Sequence, residues 1–243
     1  MHFEAPQERS SDTLECMTEK KSFELNPSIA ILMAGVLIAA AIVFTNNKTP
    51  TLGAAQQVPT IDAASIRPPS QNDHIIGSPT APIVLIEYSD FQCPYCQVIH
   101  STLKKIASES NGQIAWIYRE FPLTSIHPQA LPAANAAECI AKQLGNDGFW
   151  KYADAIFSNQ SKLTPDYSAS VAKSLGADMA AYNQCVSTSE FAKVIEADTA
   201  EAEGAGGTGT PFTVIINTKT GKASPISGAL PYAQIMAVIK SVQ

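Results

Sequence analysis

A mixed α/β domain behind one membrane-spanning helix is the fold class predicted by three observations. The first is a pair of short apolar runs rich in β-branched residues, IVLIEY at 83–88 and IAWIYREF at 114–121, separated by a segment of helical period. The second is the stretch from about 127 to 204, where apolar residues recur at helical spacing. The third is the uncharged run PSIAILMAGVLIAAAIVF at 27–44, near the lower end of the roughly 17–25 residues needed to cross a bilayer. The chain of 243 residues has the length of one to two domains. With 16% charged and 45% hydrophobic residues it is not a disordered sequence. Its net charge of -6 argues against a nucleic-acid partner, which calls for a basic patch.

In chain order, residues 1–26 are a short polar tail on the cytoplasmic side, and 27–44 are a single transmembrane signal-anchor. Lys20 and Lys21 before the run and Lys48 after it weakly favour an inside N-terminus. A cleaved leader is the alternative, but the preceding segment is long and no good small-residue cleavage site lies close behind Phe44. Residues 45–73, rich in Thr, Ala and Gln with Pro50, Pro59, Pro68 and Pro69, have no period and read as a semi-extended linker. The folded domain then spans 74–243. Its first strand ends at Ser89 and Asp90, both helix-start residues, and a helix follows with Val98, Ile99, Leu103 and Ile106 on one face. Gly112 ends that helix before the second strand. The helical insertion, about 127–204, comprises an alanine-rich helix ended by Gly145, a second opened by Asp147 or Gly148, shorter pieces near 167–175 and 179–186, and a helix at 191–203. After GAGGTGTP come strands at 212–216 and 223–226 and a closing helix from Pro231. Strand, helix, strand, helical block, two strands and helix make an α/β sheet with an insertion.

The chemistry sits at Cys93-Pro94-Tyr95-Cys96, where a strand ends and a helix begins. A helix N-terminus carries partial positive charge and free N–H groups, so a sulfur at position 93 is expected to ionise readily. Thiolate is the nucleophile of disulfide exchange. Cys96, one turn on, is close enough to pair with it. Cys93 is thus expected to be the exposed attacking sulfur and Cys96 the more buried resolving one. Pro94 costs little at a first helical position. A zinc site needs further ligands, and no second CxxC or His-x₃₋₅-His pair exists, so no metal is expected. A purely structural bridge over one turn closes too short a loop to constrain much.

These residues resemble the DsbA-like thiol:disulfide oxidoreductases of the thioredoxin superfamily, membrane-anchored here. The matching blocks are IVLIEYSDFQCPYC at 83–96, YREFPL at 118–123, HPQALPAANAAEC at 127–139 and GTGTPFTVI at 207–215. The resemblance implies a thioredoxin fold with a helical insertion between the second and third strands. It also implies a Cys93–Cys96 redox disulfide, and a cis-proline loop at Thr210-Pro211 that, with Pro94 and Tyr95, meets an extended substrate chain. Glu87, six residues before Cys93, matches a buried acid that moves the proton of the inner cysteine; a solvated edge residue is the alternative. Some relatives carry a second disulfide in the insertion, which implies a Cys139–Cys185 bridge, two separate buried thiols being the alternative. Cys16, before the span, is expected to be unpaired.

The resemblance further implies a disulfide-donating dithiol oxidase without cofactor. It would act on unfolded or partly folded exported proteins and be re-oxidised by a membrane partner of the DsbB or VKOR type. The catalytic domain would lie on the periplasmic side of the cytoplasmic membrane. Tyr95 stands where strongly oxidising members have His, so a reductase or isomerase remains an alternative, as does a non-catalytic chaperone using the proline groove. His100 is expected to be a surface helix residue that tunes the thiols at most, and His127 a cap or contact. Arg119 and Glu120 are expected to form an ion pair. Gly204, Gly206, Gly207 and Gly209 are expected to let the chain turn into the proline strand rather than cradle phosphate.

Overall fold

The run IVLIEYS has no polar face to give to water, and it forms the middle of the sheet. In the computed structural model, which describes residues 59–243, this strand is buried along its whole length. The strands are β1 (Ile61–Asp62), β2 (His74–Ile76), β3 (Ile83–Ser89), β4 (Ile114–Glu120), β5 (Phe212–Asn217) and β6 (Lys222–Ser227). They form one sheet in the order β1-β6-β5-β3-β4-β2. Only β3 and β4 run parallel; the other neighbours are antiparallel. The parallel pair needs a crossover, and α1 (Pro94–Glu109) supplies it.

The period of two along each strand gives the sheet two apolar faces. Ile83, Leu85, Trp116 and Ile215 point toward α1, and pack with its Ile99, Leu103 and Ile106 and with Ile235 and Ile239 of α6 (Tyr232–Val242). Val84, Ile86, Tyr88, Ile117 and Val214 point the other way, toward Ile66 and Ala202. The insertion consists of α2 (Ala130–Ser158), α3 (Pro165–Ser174), α4 (Met179–Ser187) and α5 (Ala192–Gly204). Gly145, at φ 70° and ψ -167°, breaks α2 into two helical segments, a conformation open to glycine. Thr164 and Asp178 cap α3 and α4 through the backbone N–H groups of Tyr167 and Ala181. Cys139 in α2 and Cys185 in α4 are disulfide-bonded, with Cα atoms 5.9 Å apart.

The domain begins earlier than its expected start at residue 74. Residues 59–73 are not linker: Ile61 pairs with Ala223 on the sheet edge, Ile66 is buried in the second core, and Arg67 forms ion pairs with Asp198 and Glu201. Two apolar residues and one cation are enough to dock a segment that has no period. The span at 27–44, the tail with Cys16 and the first part of the linker lie outside the described residues. Among the described residues no helix is long and apolar enough to cross a membrane.

Candidate active site

Cys93 takes the N-cap position of α1 with extended backbone angles, φ -72° and ψ 123°, and Pro94 opens the helix. Its sulfur lies 3.4 Å from the carbonyl oxygen of Thr210, and the Thr210-Pro211 peptide bond is cis. Contrary to its expected exposure, Cys93 is only 3% exposed, because the Thr210 carbonyl lies on its sulfur. Cys96 is completely buried, so Cys93 remains the outer of the two. Both are free thiols. Pro94 and Tyr95, by contrast, face solvent, Tyr95 being 64% exposed.

Environment drives the two sulfurs apart. Cys93 is pulled down to about 5, first by the Cys96 thiol hydrogen bond, then, against the effect of burial, by Thr210 and the N–H groups of Cys96 and Tyr95. Burial pushes Cys96 up, and the neighbouring Cys93 and Glu87 add to the shift. One sulfur is therefore ionised at neutral pH while the other holds its proton.

Beneath Cys96 the sheet carries polar groups in an otherwise apolar face. Glu87 is fully buried on β3, not solvated. Its Oε1 accepts from the Ser89 hydroxyl at 2.8 Å and its Oε2 from Trp116 Nε1 at 2.9 Å. Burial lifts its carboxyl to about 7, against the lowering effect of those two donors. The Ser89 hydroxyl also favours the charged form of Cys96. In register, Glu87 stands between Thr213 and Tyr118, and Ser89 beside Glu120. A carboxyl that titrates near neutrality next to a buried thiol can take or give that thiol's proton.

A thioredoxin family model matches residues 69–240. The chain belongs to the thioredoxin family. Its fold is that of DsbA2 from Pseudomonas aeruginosa, which is 26% identical, superposes with a TM-score of 0.60 and shares 72% of this chain and 96% of its own. Wolbachia pipientis alpha-DsbA1 (22% identical, TM-score 0.62, 75% and 96%) and BdbD from Bacillus subtilis (21%, 0.62, 72% and 95%) have the same fold. The chain is thus a DsbA-like protein of the thioredoxin superfamily, the class of the protein thiol:disulfide oxidoreductases. Curated relatives are the Na(+)/H(+) antiporter NhaA 1 of Mycolicibacterium gilvum, 30% identical over 151 residues, and NhaA 3 of Salinispora tropica, 31% over 145. These alignments take in 61% and 60% of this chain but 24% and 22% of those proteins. The chain therefore spans about a quarter of the length of the curated relatives it matches.

In this DsbA-like protein several residues hold the redox loop that the sequence did not mark. Asp90, read only as a helix-start residue, is buried and accepts from the N–H groups of Gln92 (2.7 Å), Cys93 (3.2 Å) and Leu123 (2.9 Å), and it pairs with His127 at 2.8 Å. Gln160 donates to the carbonyls of Phe91 (3.0 Å) and Cys93 (2.8 Å), tying the insertion to the loop. Beside them a polar groove of about 620 Å³ is lined by Gln92, Pro94, Gln97, Asn159 and Gln160. Gly207 allows the close approach of its chain to the proline strand: a Cβ there would meet Ala202 O and the Phe212 ring at 2.9 Å.

Two expectations are corrected. Arg119 and Glu120 do not pair, because neighbouring strand residues point to opposite faces. Arg119 instead bridges Asp73 (3.0 Å) and Glu201 (2.6 Å), and Glu120 has no side-chain partner. His100 is not on the surface; it is buried edge-on against Trp116, with Nε2 2.8 Å from Asp154. Among the described residues no group of three or more His, Cys, Asp or Glu side chains is placed to hold a metal ion.

Proposed function

We propose that the protein donates disulfides to exported proteins through Cys93-Pro94-Tyr95-Cys96. The observation that carries this is the paired environment of the sulfurs: Cys93 at a helix N-cap beneath Thr210, and Cys96 buried beside the Glu87–Ser89 hydrogen bond. In the oxidised protein a substrate thiolate attacks Cys93 Sγ and the Cys93–Cys96 bond breaks. Cys96 leaves as a thiolate and takes the proton that Glu87 holds. A second substrate thiolate then attacks the substrate sulfur of the mixed disulfide, and Cys93 departs as the stable thiolate. Two electrons have passed from the substrate dithiol to the protein's own. Thr210 and cis-Pro211 meet the substrate chain from one side, and Pro94 and Tyr95 from the other.

In this reading residues 27–44 anchor the protein in the cytoplasmic membrane, the redox domain works on the extracytoplasmic side, and a membrane oxidant of the DsbB or VKOR type restores the disulfide. Cys96→Ala tests it: the Cys93 thiolate of the variant attacks a substrate disulfide, one substrate sulfur leaves as thiolate, and Cys96 is no longer there to resolve the mixed disulfide. Exported proteins bound covalently to Cys93 support the proposal, and their absence under oxidising conditions contradicts it. A potential near the roughly -270 mV of thioredoxin would assign the reducing direction instead.

A further inference from the structure

The polar groove beside the redox loop has two walls. Gln92, Pro94 and Gln97 form the one at the start of α1, and Gln160 and Ser161, just past the end of α2, belong to the other. No charged side chain lines it. Three of its carboxamides are held at one end by the fold. Gln160 Nε2 donates to the carbonyls of Phe91 (3.0 Å) and Cys93 (2.8 Å), Gln97 Nε2 donates to the Phe157 carbonyl, and Gln92 Oε1 accepts from the Gln129 N–H (2.7 Å). Their other ends, Oε1 of Gln160, Oε1 of Gln97 and Nε2 of Gln92, have no hydrogen-bond partner among the described residues. Two acceptors and one donor, all uncharged, complement the N–H and C=O groups of an extended peptide. Because the fold already pins these long side chains, binding costs them little further rotamer entropy.

The geometry points to a subsite that reads the main chain of the substrate on the insertion's side of Cys93. The inference deepens the proposed exchange with exported proteins and rests on it. Gln160 touches the Cys93 carbonyl itself and Pro94 is the next residue, so the groove begins within a residue of the reacting sulfur. An extended chain advances roughly 3.3 Å per residue. The first few substrate residues on one side of its cysteine therefore enter the groove. Those on the other side follow Thr210 and Pro211, which are not among its walls. The ligand class is an extended, unfolded segment flanking a cysteine. A folded segment has its backbone groups already paired and offers the carboxamides nothing. With no charge on the walls, the groove discriminates little among side chains, which suits substrates of many sequences.

The test is the rate at which cysteine peptides reduce the Cys93–Cys96 disulfide of the full chain. Each rate is divided by that for dithiothreitol, which has no peptide backbone. The peptides are a two-cysteine core, the core with about four uncharged residues added before it, and the core with about four added after it. Each extended peptide has a counterpart whose extension is N-methylated on the backbone. One of the two extensions is expected to raise the relative rate about tenfold, the worth of a few added hydrogen bonds, and N-methylation to remove that gain. Gln97→Leu deletes one free acceptor, and Ser161→Tyr fills the groove from an exposed turn. Both are expected to cut the gain to under about threefold, and Ser161→Tyr carries the test should Gln97→Leu disturb α1. Equal relative rates for all the peptides, or a gain that survives either N-methylation or Ser161→Tyr, overturn the inference. If dithiothreitol alone reduces the disulfide and Cys96→Ala captures no exported protein, the proposed function fails as well; capture without any gain from the extensions refutes the groove alone.

Discussion

Trp116 donates its indole N–H to Glu87 Oε2 at 2.9 Å, across neighbouring parallel strands in the buried face of the sheet. This bond and the Ser89 hydroxyl hold the carboxyl in place beneath Cys96, where burial raises it to about 7. A carboxyl with a higher folded than unfolded value takes up a proton on folding, so its contribution to stability declines as pH rises from about 4.5 through about 7.

Glu87→Gln removes that penalty. The variant is expected to be more stable than wild type at pH 8, by at most on the order of 3 kcal/mol, and equal to it below about pH 4. Urea unfolding at the two pH values checks this. The same variant is expected to slow exchange near neutral pH by at least about tenfold. A stability difference independent of pH would remove the titration of Glu87 from the account.

Cys96→Ala is expected to raise the titration midpoint of Cys93. The largest influence holding Cys93 down is the Cys96 thiol hydrogen bond; the helix N–H groups and Thr210 remain in the variant. Thiolate absorbance against pH reads the shift directly. An unmoved midpoint would mean that the helix N–H groups and Thr210 suffice to stabilise the thiolate.

Arg119→Ala is expected to destabilise the domain by about 3–5 kcal/mol, because it leaves Asp73 without its cation and Glu201 with only the half-exposed Arg67. Denaturant unfolding measures this. A loss under about 1 kcal/mol, the ordinary effect of a surface pair, would contradict the buried network.

Replacing Cys139 and Cys185 together by alanine is expected to cost on the order of 4 kcal/mol, from the freedom regained by a loop closed over a sequence separation of 46. Thermal unfolding under oxidising conditions reports it. The bridge joins α2 to α4, and neither of its cysteines is among the groups that shift Cys93, so Cys93 alkylation is expected to be unchanged.

The legible parts of the sequence were those with a period or a demanding conformation. IVLIEY and IAWIYREF read as strands because unbroken β-branched runs suit a buried parallel pair, and Gly145 read as a break because its positive φ needs glycine. The two-residue β1 and three-residue β2 are too short for any alternation to show, so residues 59–73 read as linker. The alternation in β4 was visible, but its consequence, that Arg119 and Glu120 cannot meet, needed the register with β3 and the neighbours on each face. The two redox cysteines were legible because the chemistry needs a helix start. Asp90 is legible as a helix-start residue through its local bonds to Gln92 and Cys93, but its hold on Leu123 and His127, like that of Gln160 on Phe91 and Cys93, depends on contacts over long sequence separations.

Exchange through Cys93 requires that its sulfur be a thiolate at physiological pH. The rate of alkylation at Cys93 in the reduced protein, followed from about pH 3 to about pH 9, tests it most directly. A single transition is expected, with its midpoint at about 5 and a rate that is flat above neutral pH. A midpoint near the roughly 8.5 of an ordinary thiol would contradict it.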